Sequence, residues 1–195
     1  MSKRIISIVI VVLCIMFALS GLCYAFVLLT KEQALEKAFG KDREIVIETK
    51  DLTGEKLSKV KKRLGGKLVH YQVGSESRKV KGKTNIDFYF ALKDGKKTGV
   101  AIIDVEPGKW GPVKFIIALD LKGAVRRVRV MSYQEKRGRP IARRSFLRQY
   151  RGKTSKSRLK VGKDITGISG ATISSRCATF AVKKAIVLYE ELYLK

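Results

Sequence analysis

Hydroxyl-bearing and small residues cluster near the C-terminal end of the chain, directly before an apolar-periodic segment that ends at Leu194. The run reads Asp164-Ile165-Thr166-Gly167-Ile168-Ser169-Gly170-Ala171-Thr172-Ile173-Ser174-Ser175. Gly170 and Ala171 let the backbone approach a ligand closely, and a helix that starts here presents unpaired N–H groups and its positive dipole end. The flanking hydroxyls belong to Ser169, Thr172, Ser174 and Ser175. The pattern predicts a phosphate-binding loop, with an ordinary Ser/Thr-rich helix cap as the alternative.

Ser169-Gly170-Ala171-Thr172, followed by Ile173-Ser174-Ser175, resembles the flavin-attachment loop of the FMN-binding domain family. That family includes the extracytoplasmic flavin subunits of the sodium-translocating NADH:quinone oxidoreductase and of the Rnf complex. The resemblance implies that Thr172 carries FMN through a phosphoester bond installed by a flavin transferase. Family members usually have Asp three residues before the residue that opens the loop, and this chain has Thr166 there. The resemblance therefore implies FMN binding and leaves covalent or noncovalent attachment open.

Two further segments carry the resemblance, which covers roughly residues 30–194. Tyr133-Gln134-Glu135-Lys136-Arg137-Gly138 resembles the Glu-x-x-Gly turn near the isoalloxazine ring of the respiratory subunits. Lys109-Trp110-Gly111-Pro112-Val113 resembles their aromatic-Gly segment before a strand. The resemblance thus implies that Glu135, Gly138 and Trp110 lie near the flavin. Without it, Glu135 and Gly138 are typical of a solvated loop with a turn glycine.

The N-terminus has the pattern of a membrane anchor or a secretory signal. Lys3 and Arg4 precede a segment that is free of charge from Ile5 through Thr30, about the length needed to cross a bilayer as a helix. The basic residues at its start predict that the rest of the chain lies outside the cytoplasm. We therefore expect an anchor or signal over residues 1–29 and one extracytoplasmic (periplasmic) domain over residues 30–195, with cleavage after Ala25 left open.

Cysteine and histidine are too few for most metal or nucleophilic chemistry. The cysteines are Cys14 and Cys23 in the apolar segment and Cys177 near the C-terminus, and His70 is the one histidine. This content disfavours haem attachment, iron–sulfur ligation, a multi-ligand zinc site and a Ser-His-Asp triad. We expect Cys177 to be a buried thiol and His70 to be a side chain on a strand without a chemical role. No paired catalytic carboxylates stand out in the sequence.

The chain is strongly basic, with 42 Lys and Arg against 17 Asp and Glu and a formal charge of +25. Many of the basic residues lie between Lys136 and Lys163, where the sequence has no acid. Such a surface attracts anions. Three partners compete for it, namely the FMN phosphate, anionic lipid headgroups of the membrane and an acidic redox protein. Export and the lack of a recognisable motif disfavour nucleic acid.

Hydrophobic periodicity predicts an α+β domain with an antiparallel meander sheet flanked by helices. The predicted strands cover residues 44–48, 86–92, 98–105, 113–119 and 124–131, the last four as two hairpins. The predicted helices run from a capping box at Thr30 and Gln33 to Gly40, from Thr53 to Leu64, from Pro140 to near Gly152, and from the loop to Leu194. No Gly-x-Gly-x-x-Gly element appears, which disfavours a Rossmann site.

Together these features predict a membrane-anchored FMN electron-transfer module rather than an independent enzyme. FMN would supply the redox chemistry, and the protein would orient it. The alternative is a cofactor-free basic adaptor that binds anionic lipids or polymers. A flavin-binding sensor or assembly factor is a third interpretation.

Overall fold

Alternating apolar and polar residues fold the middle of the chain into one six-stranded sheet, in a computed structural model that describes residues 26–70, 82–109, 111–134 and 139–195. The strands are β1 (Phe26–Val27), β2 (Glu44–Asp51), β3 (Asn85–Lys93), β4 (Lys96–Pro107), β5 (Pro112–Leu119) and β6 (Val125–Tyr133). Their order in the sheet is β1-β6-β5-β4-β3-β2, and every neighbouring pair is antiparallel. The predicted α+β meander is confirmed, and β1 extends it at the β6 edge.

Turn residues with local bonding close the two predicted hairpins. Between β3 and β4, Asp94 and Gly95 have φ angles of 52° and 71°, the left-handed conformation that two-residue hairpin turns require. Between β5 and β6, the Asp120 carboxylate accepts hydrogen bonds from the Lys122 and Ala124 N–H groups, both at 2.9 Å. Both hairpins therefore have turn sequences that fix their register.

In the described part of the chain, four α-helices accompany the sheet: α1 (Lys31–Phe39), α2 (Gly54–Arg63), α3 (Arg144–Leu147) and α4 (Thr172–Tyr189). The predicted capping box at the start of α1 is confirmed, because Thr30 accepts from the Gln33 N–H and Gln33 accepts from the Thr30 N–H. Thr53 precedes α2 without a side-chain capping bond. Beyond α4, residues Glu190–Leu194 continue as a π-helical turn.

The continuous helix predicted after Pro140 is wrong. The chain instead forms a 3₁₀ turn (Arg139–Ala142), the short α3 and a second 3₁₀ turn (Arg148–Tyr150). The break occurs at Arg143, whose ψ of 137° is extended and not helical. The predicted end at Gly152 holds, since its φ of 76° is one that glycine adopts without strain.

The helices divide between the two faces of the sheet. The face covered by α1 has a small cluster, formed by Ala34, Tyr89, Ala101, Ile116 and Met131. The other face packs against α4 and holds the larger core, which includes Cys177, as predicted for a buried thiol. Tyr189 at the end of α4 donates to the Leu121 carbonyl in the β5–β6 turn at 3.2 Å. The start of α4 therefore points toward the opposite end of the sheet, where β6 ends.

The sheet begins within the apolar segment that we assigned to the anchor. Phe26 and Val27 pair with Tyr133 and Ser132, and the rings of Phe26 and Tyr133 stack at 5.6 Å. The remainder of the predicted anchor, residues 1–25, lies outside the described residues. Among the residues that the structure describes, none of the helices has the length and apolar character needed to cross a bilayer.

Candidate functional site

The hydroxyl-rich loop forms a tight turn at the start of α4. The Ala171 N–H donates to the Ile168 carbonyl at 3.0 Å, which closes the turn. Gly170 has a φ of 73°, and a Cβ added there would find no atom within 4 Å. Ser169 and Gly170 are exposed, whereas Ala171 is buried beneath them. The turn therefore offers exposed backbone with open space above it, the form expected of a loop that a phosphate approaches.

The Ser175 hydroxyl links this turn to α4 through hydrogen bonds. Its Oγ accepts a hydrogen bond from the Ile168 N–H at 3.1 Å and donates to the Ala171 carbonyl at 2.9 Å. Ser175 and Ser174 are both buried. The expectation that these two hydroxyls face a ligand is therefore corrected. They lie on the inner side of α4, and the Ser175 hydroxyl holds the loop in shape.

Thr172 has the accessible hydroxyl. It is exposed and is the first residue of α4. The residue before it, Ala171, provides no side-chain cap, and the first turn contains no acid. The positive end of the helix dipole is therefore not offset by a local carboxylate. Arg176, also exposed, follows four residues later on the same side of the helix and adds positive charge.

A glutamine from the preceding segment fixes the entry to the loop. The Gln149 side chain accepts from the Thr166 N–H at 2.7 Å and donates to the Thr166 carbonyl at 3.2 Å. The same amide donates to the Phe146 carbonyl at 3.3 Å. The Gln149 side chain thus bonds both backbone polar groups of Thr166, as a neighbouring strand would. Thr166 is the position where the family usually has Asp. Sequence reasoning missed it, because nothing local connects residues seventeen positions apart.

Buried hydroxyls continue this support under α4. Tyr150 and Thr179 share a hydrogen bond of 2.9 Å between their hydroxyls, and Thr179 donates to the Ser175 carbonyl at 2.8 Å. Burial raises the pKa of Tyr150 well above its usual range. Tyr150 therefore stays a neutral hydrogen-bonding group that ties the 3₁₀ turn to the helix below the loop.

Asp164 is the nearest acid before the loop, and its carboxylate stabilises the preceding turn at residues 159–164. Its carboxylate accepts from the Leu159 N–H at 3.1 Å and the Lys160 N–H at 2.9 Å, and Lys153 lies 3.2 Å away. Burial alone would raise the pKa of Asp164, but these donors outweigh it and lower the pKa. Asp164 is thus engaged away from Thr172 and does not replace the missing loop Asp.

The other residues predicted near the flavin ring lie outside the described residues: Trp110, Glu135 and Gly138. Their described neighbours, Gly111 and Gln134, are in contact. A Cβ added to Gly111 would clash with the Gln134 side chain. The β4–β5 connection and the end of β6 therefore meet at one end of the sheet.

Comparison with known proteins identifies the loop and the helix. The sequence profile of the FMN-binding domain matches residues 108–187, which include the turn, Thr172 and nearly all of α4. This segment is similar in sequence to the FMN-binding domain family. Its cofactor is accordingly FMN, and the predicted resemblance is confirmed.

Two curated relatives carry the same kind of segment. The chain is 32% identical over 120 residues to a subunit of the ion-translocating oxidoreductase complex of Aliivibrio fischeri, covering 55% of this chain and 57% of that protein. It is 32% identical over 110 residues to the corresponding subunit from Shewanella baltica, covering 50% and 52%. The chain therefore spans a little over half the length of these relatives. The crystal structure of Shewanella oneidensis NqrC aligns with 15% identity and a TM-score of 0.48 over 76% of this chain and 80% of that one.

The loop of this FMN-binding domain fits a flavin phosphate. An exposed hydroxyl at Thr172, open space over Gly170 and an uncapped helix start lie together at one surface. Backbone N–H groups at such a position bind phosphate without a dedicated cationic pocket.

Beside the matched segment, the structure contains a buried ionic cluster that sequence reasoning missed. The Lys184 ammonium lies 2.8 Å from Asp104, pairs with Glu106, and donates to the Leu68 carbonyl at 3.0 Å. Asp104 and Glu106 are therefore a pair of carboxylates held by one lysine, and the expectation that no paired catalytic carboxylates stand out stays a prediction. Asp104 and Glu106 alternate in phase with the core residues Val100 and Ile102 of β4, a signal that was readable in the sequence.

One lysine faces two carboxylates in this cluster, so one negative charge is not balanced by Lys184. Burial and the neighbouring Asp104 charge raise the pKa of Glu106 to about 8 despite the attraction of Lys184. Burial lowers the pKa of Lys184, but Asp104 and Glu106 outweigh it and the net change is upward. The pKa of Glu106 therefore lies above its usual range, and the pKa of Lys184 is raised as well, so Lys184 stays charged.

His70 lies beside this cluster in a coil, not in the predicted strand. Its backbone N–H donates to Glu106 at 2.6 Å, and its ring lies 5.7 Å from the ring of Phe180. Burial, together with Lys67 and Arg176, lowers the pKa of His70 to about 4. The imidazole is therefore neutral at physiological pH, in keeping with a packing role.

Proposed function

We propose that the protein is a membrane-anchored, extracytoplasmic electron carrier whose FMN is joined to Thr172 by a phosphoester bond. The observation that carries this proposal is the exposure of Thr172 at an uncapped helix start, beside an open glycine turn. Of the two threonines in the run, Thr166 has its backbone held by Gln149, whereas Thr172 presents its side chain at the helix start.

FMN supplies one- and two-electron redox chemistry when bound. The chain's own contribution is to hold and position the phosphate. The N–H groups of the first turn of α4 and the charge of Arg176 stabilise it, and Ser175 and Gln149 keep the turn in one conformation. A rigid turn lowers the entropic cost of presenting the Thr172 hydroxyl to a flavin transferase.

The predicted anchor supports placement at a membrane, with the domain outside the cytoplasm. The relatives of matching sequence are subunits of ion-translocating oxidoreductase complexes by name. We infer that this chain likewise passes electrons to or from another redox protein or subunit. A tether within residues 1–25 would keep the flavin close to membrane-bound partners.

In-gel flavin fluorescence of the denatured protein, produced together with a flavin transferase, tests the attachment. We expect fluorescence from the wild type and none from Thr172→Ala. The matched control is Thr53→Ala, which removes an exposed threonine at the start of α2 that makes no capping bond. Thr53→Ala should fluoresce like the wild type. Equal fluorescence from Thr172→Ala would overturn the assignment.

Noncovalent binding and the adaptor hypothesis give different results in the same preparation. A denatured protein without fluorescence but a native protein with flavin absorbance would show noncovalent FMN. A native protein that is colourless, produced with excess FMN, would contradict flavin binding and return the basic adaptor to first place.

A further inference from the structure

One edge of β6 is open along its middle. At its start, the Val125 N–H donates to the Lys153 carbonyl at 2.9 Å, and the Val125 carbonyl accepts from the Gly152 N–H at 2.8 Å. At its end, the Met131 carbonyl accepts from Leu28 and Leu29. Between these closures, no described backbone group forms a hydrogen bond to the backbone of residues 126–130 on this side. The open edge is about 17 Å long at the rise of a β-strand.

A groove of about 720 Å³ runs along this open edge. Consecutive residues 125–129 line it, so it faces the strand edge and not one face of the sheet. The end of α1 forms one wall, with Ala38, Phe39 and Gly40. The opposite wall contains Arg144, Leu147, Arg148 and Arg151. An extended chain fits the floor of such a groove as an additional strand.

The groove is strongly positive. Arg127 and Arg129 line its floor, and Arg144, Arg148 and Arg151 line one wall. The acid among the lining residues is Asp120, whose carboxylate accepts the turn N–H groups of Lys122 and Ala124. No described carboxylate forms an ion pair with any of the five arginines.

Two of these arginines are held in place by hydrogen bonds to backbone carbonyls. Arg127 donates to the Lys37 carbonyl at the end of α1. Arg129 is half-buried and donates to the Val128 carbonyl at 3.0 Å. Burial and the nearby Arg127 and Arg144 charges lower the pKa of Arg129, in line with the like charges on the floor and wall of the groove. A bound anion would relieve that repulsion.

We propose that this groove binds an extended acidic segment of a partner protein, which pairs with the open edge of β6 and places its carboxylates among the arginines. Backbone pairing would give the affinity, and the arginines would select acidic side chains. A phosphate or lipid headgroup would satisfy the charge but leave the strand edge unpaired. The proposal concerns a surface separate from Thr172 and does not depend on FMN attachment.

A fluorescein-labelled, capped peptide of alternating Glu and Val, titrated with the full chain in detergent, tests the proposal by fluorescence anisotropy. We expect saturable binding. The same peptide with every amide N-methylated keeps its carboxylates and loses its N–H donors, so its dissociation constant should rise by about tenfold or more. Equal binding of the methylated peptide would contradict strand pairing.

Charge reversal locates the binding. Arg144→Glu combined with Arg148→Glu should raise the dissociation constant by about tenfold or more. The matched control, Lys56→Glu combined with Lys61→Glu on the exposed face of α2, makes the same change in net charge away from the groove. It should alter binding by no more than about twofold. Equal losses in both double variants would refute the groove as the site.

Two competitors test the class of ligand. Inorganic pyrophosphate at matched ionic strength, and vesicles of anionic phospholipid, each carry phosphate without a peptide backbone. We expect neither competitor to displace the peptide when it supplies the same concentration of negative charge as the peptide does. Full displacement by pyrophosphate would assign the groove to phosphate anions, and full displacement by the vesicles would assign it to the membrane surface; either result overturns the proposal.

Discussion

The buried cluster of Lys184, Asp104 and Glu106 predicts an unusual response to pH. Glu106 is fully buried and ordinarily titrates near 4.5, but in the folded protein its pKa rises to about 8. The folded state therefore holds a proton that the unfolded state releases between these two values. Stability from this group is complete at low pH and declines as pH rises from about 4.5 through about 8.

The substitution Glu106→Gln removes this ionisation while keeping a side chain of the same shape. The difference between the two pKa values corresponds to a free energy on the order of 5 kcal/mol. We expect Glu106→Gln to match the wild type within about 1 kcal/mol at pH 5, where Glu106 is protonated. At pH 9 the variant should be more stable than the wild type by a few kcal/mol.

Urea unfolding followed by circular dichroism, at several pH values from 5 to 9, measures this difference. The matched control is Glu55→Gln, which removes an exposed carboxylate paired with Lys59 at 2.8 Å. The control should show no gain in stability toward alkaline pH. A Glu106→Gln variant that loses several kcal/mol at pH 9 would refute the reasoning, because it would show that the ionised Glu106 carboxylate stabilises the fold.

Three further substitutions test the support of the loop. Gln149→Leu removes the clamp on Thr166 and should slow covalent flavin incorporation by about tenfold, measured as the rate of in-gel fluorescence gain, while circular dichroism stays unchanged. An unchanged rate would contradict a positioning role. Tyr150→Phe leaves the buried Thr179 hydroxyl with one partner fewer and should cost about 1–2 kcal/mol in urea unfolding; no loss would argue against that bond. The Cβ of Gly170→Ala would contact no atom, but the residue would have to keep a left-handed backbone conformation. The substitution should therefore lower the free energy of unfolding by about 1 kcal/mol, and a clearly larger loss would contradict the open space over Gly170.

Local patterns made much of the fold predictable. The alternation from Ile86 to Leu92 and the turn at Asp94 and Gly95 predicted the first hairpin because the strand period and the turn conformation depend on neighbouring residues. The capping box at Thr30 was found for the same reason. β1 was missed, since its two residues continue the apolar run of the predicted anchor.

At the site, contacts between residues that are far apart in the sequence could not be predicted. The loop and Thr172 were evident from residue types, but Gln149 meets Thr166 across seventeen positions and Lys184 meets Glu106 across the core. Ser175 has the residue type of a ligand-binding hydroxyl and is buried by the packing of α4. The helical pattern after Pro140 also failed, because the extended backbone at Arg143 is not encoded by the apolar spacing around it.

The central claim is that the Thr172 hydroxyl carries the flavin phosphate. Mass spectrometry of tryptic fragments from protein produced with a flavin transferase tests it most directly, because cleavage after Lys163 and Arg176 isolates the whole loop in one peptide. We predict that this peptide gains the mass of FMN less one water, and that fragmentation places the addition on Thr172. An unmodified loop peptide, or an addition on Thr166 or Ser169, would contradict the assignment.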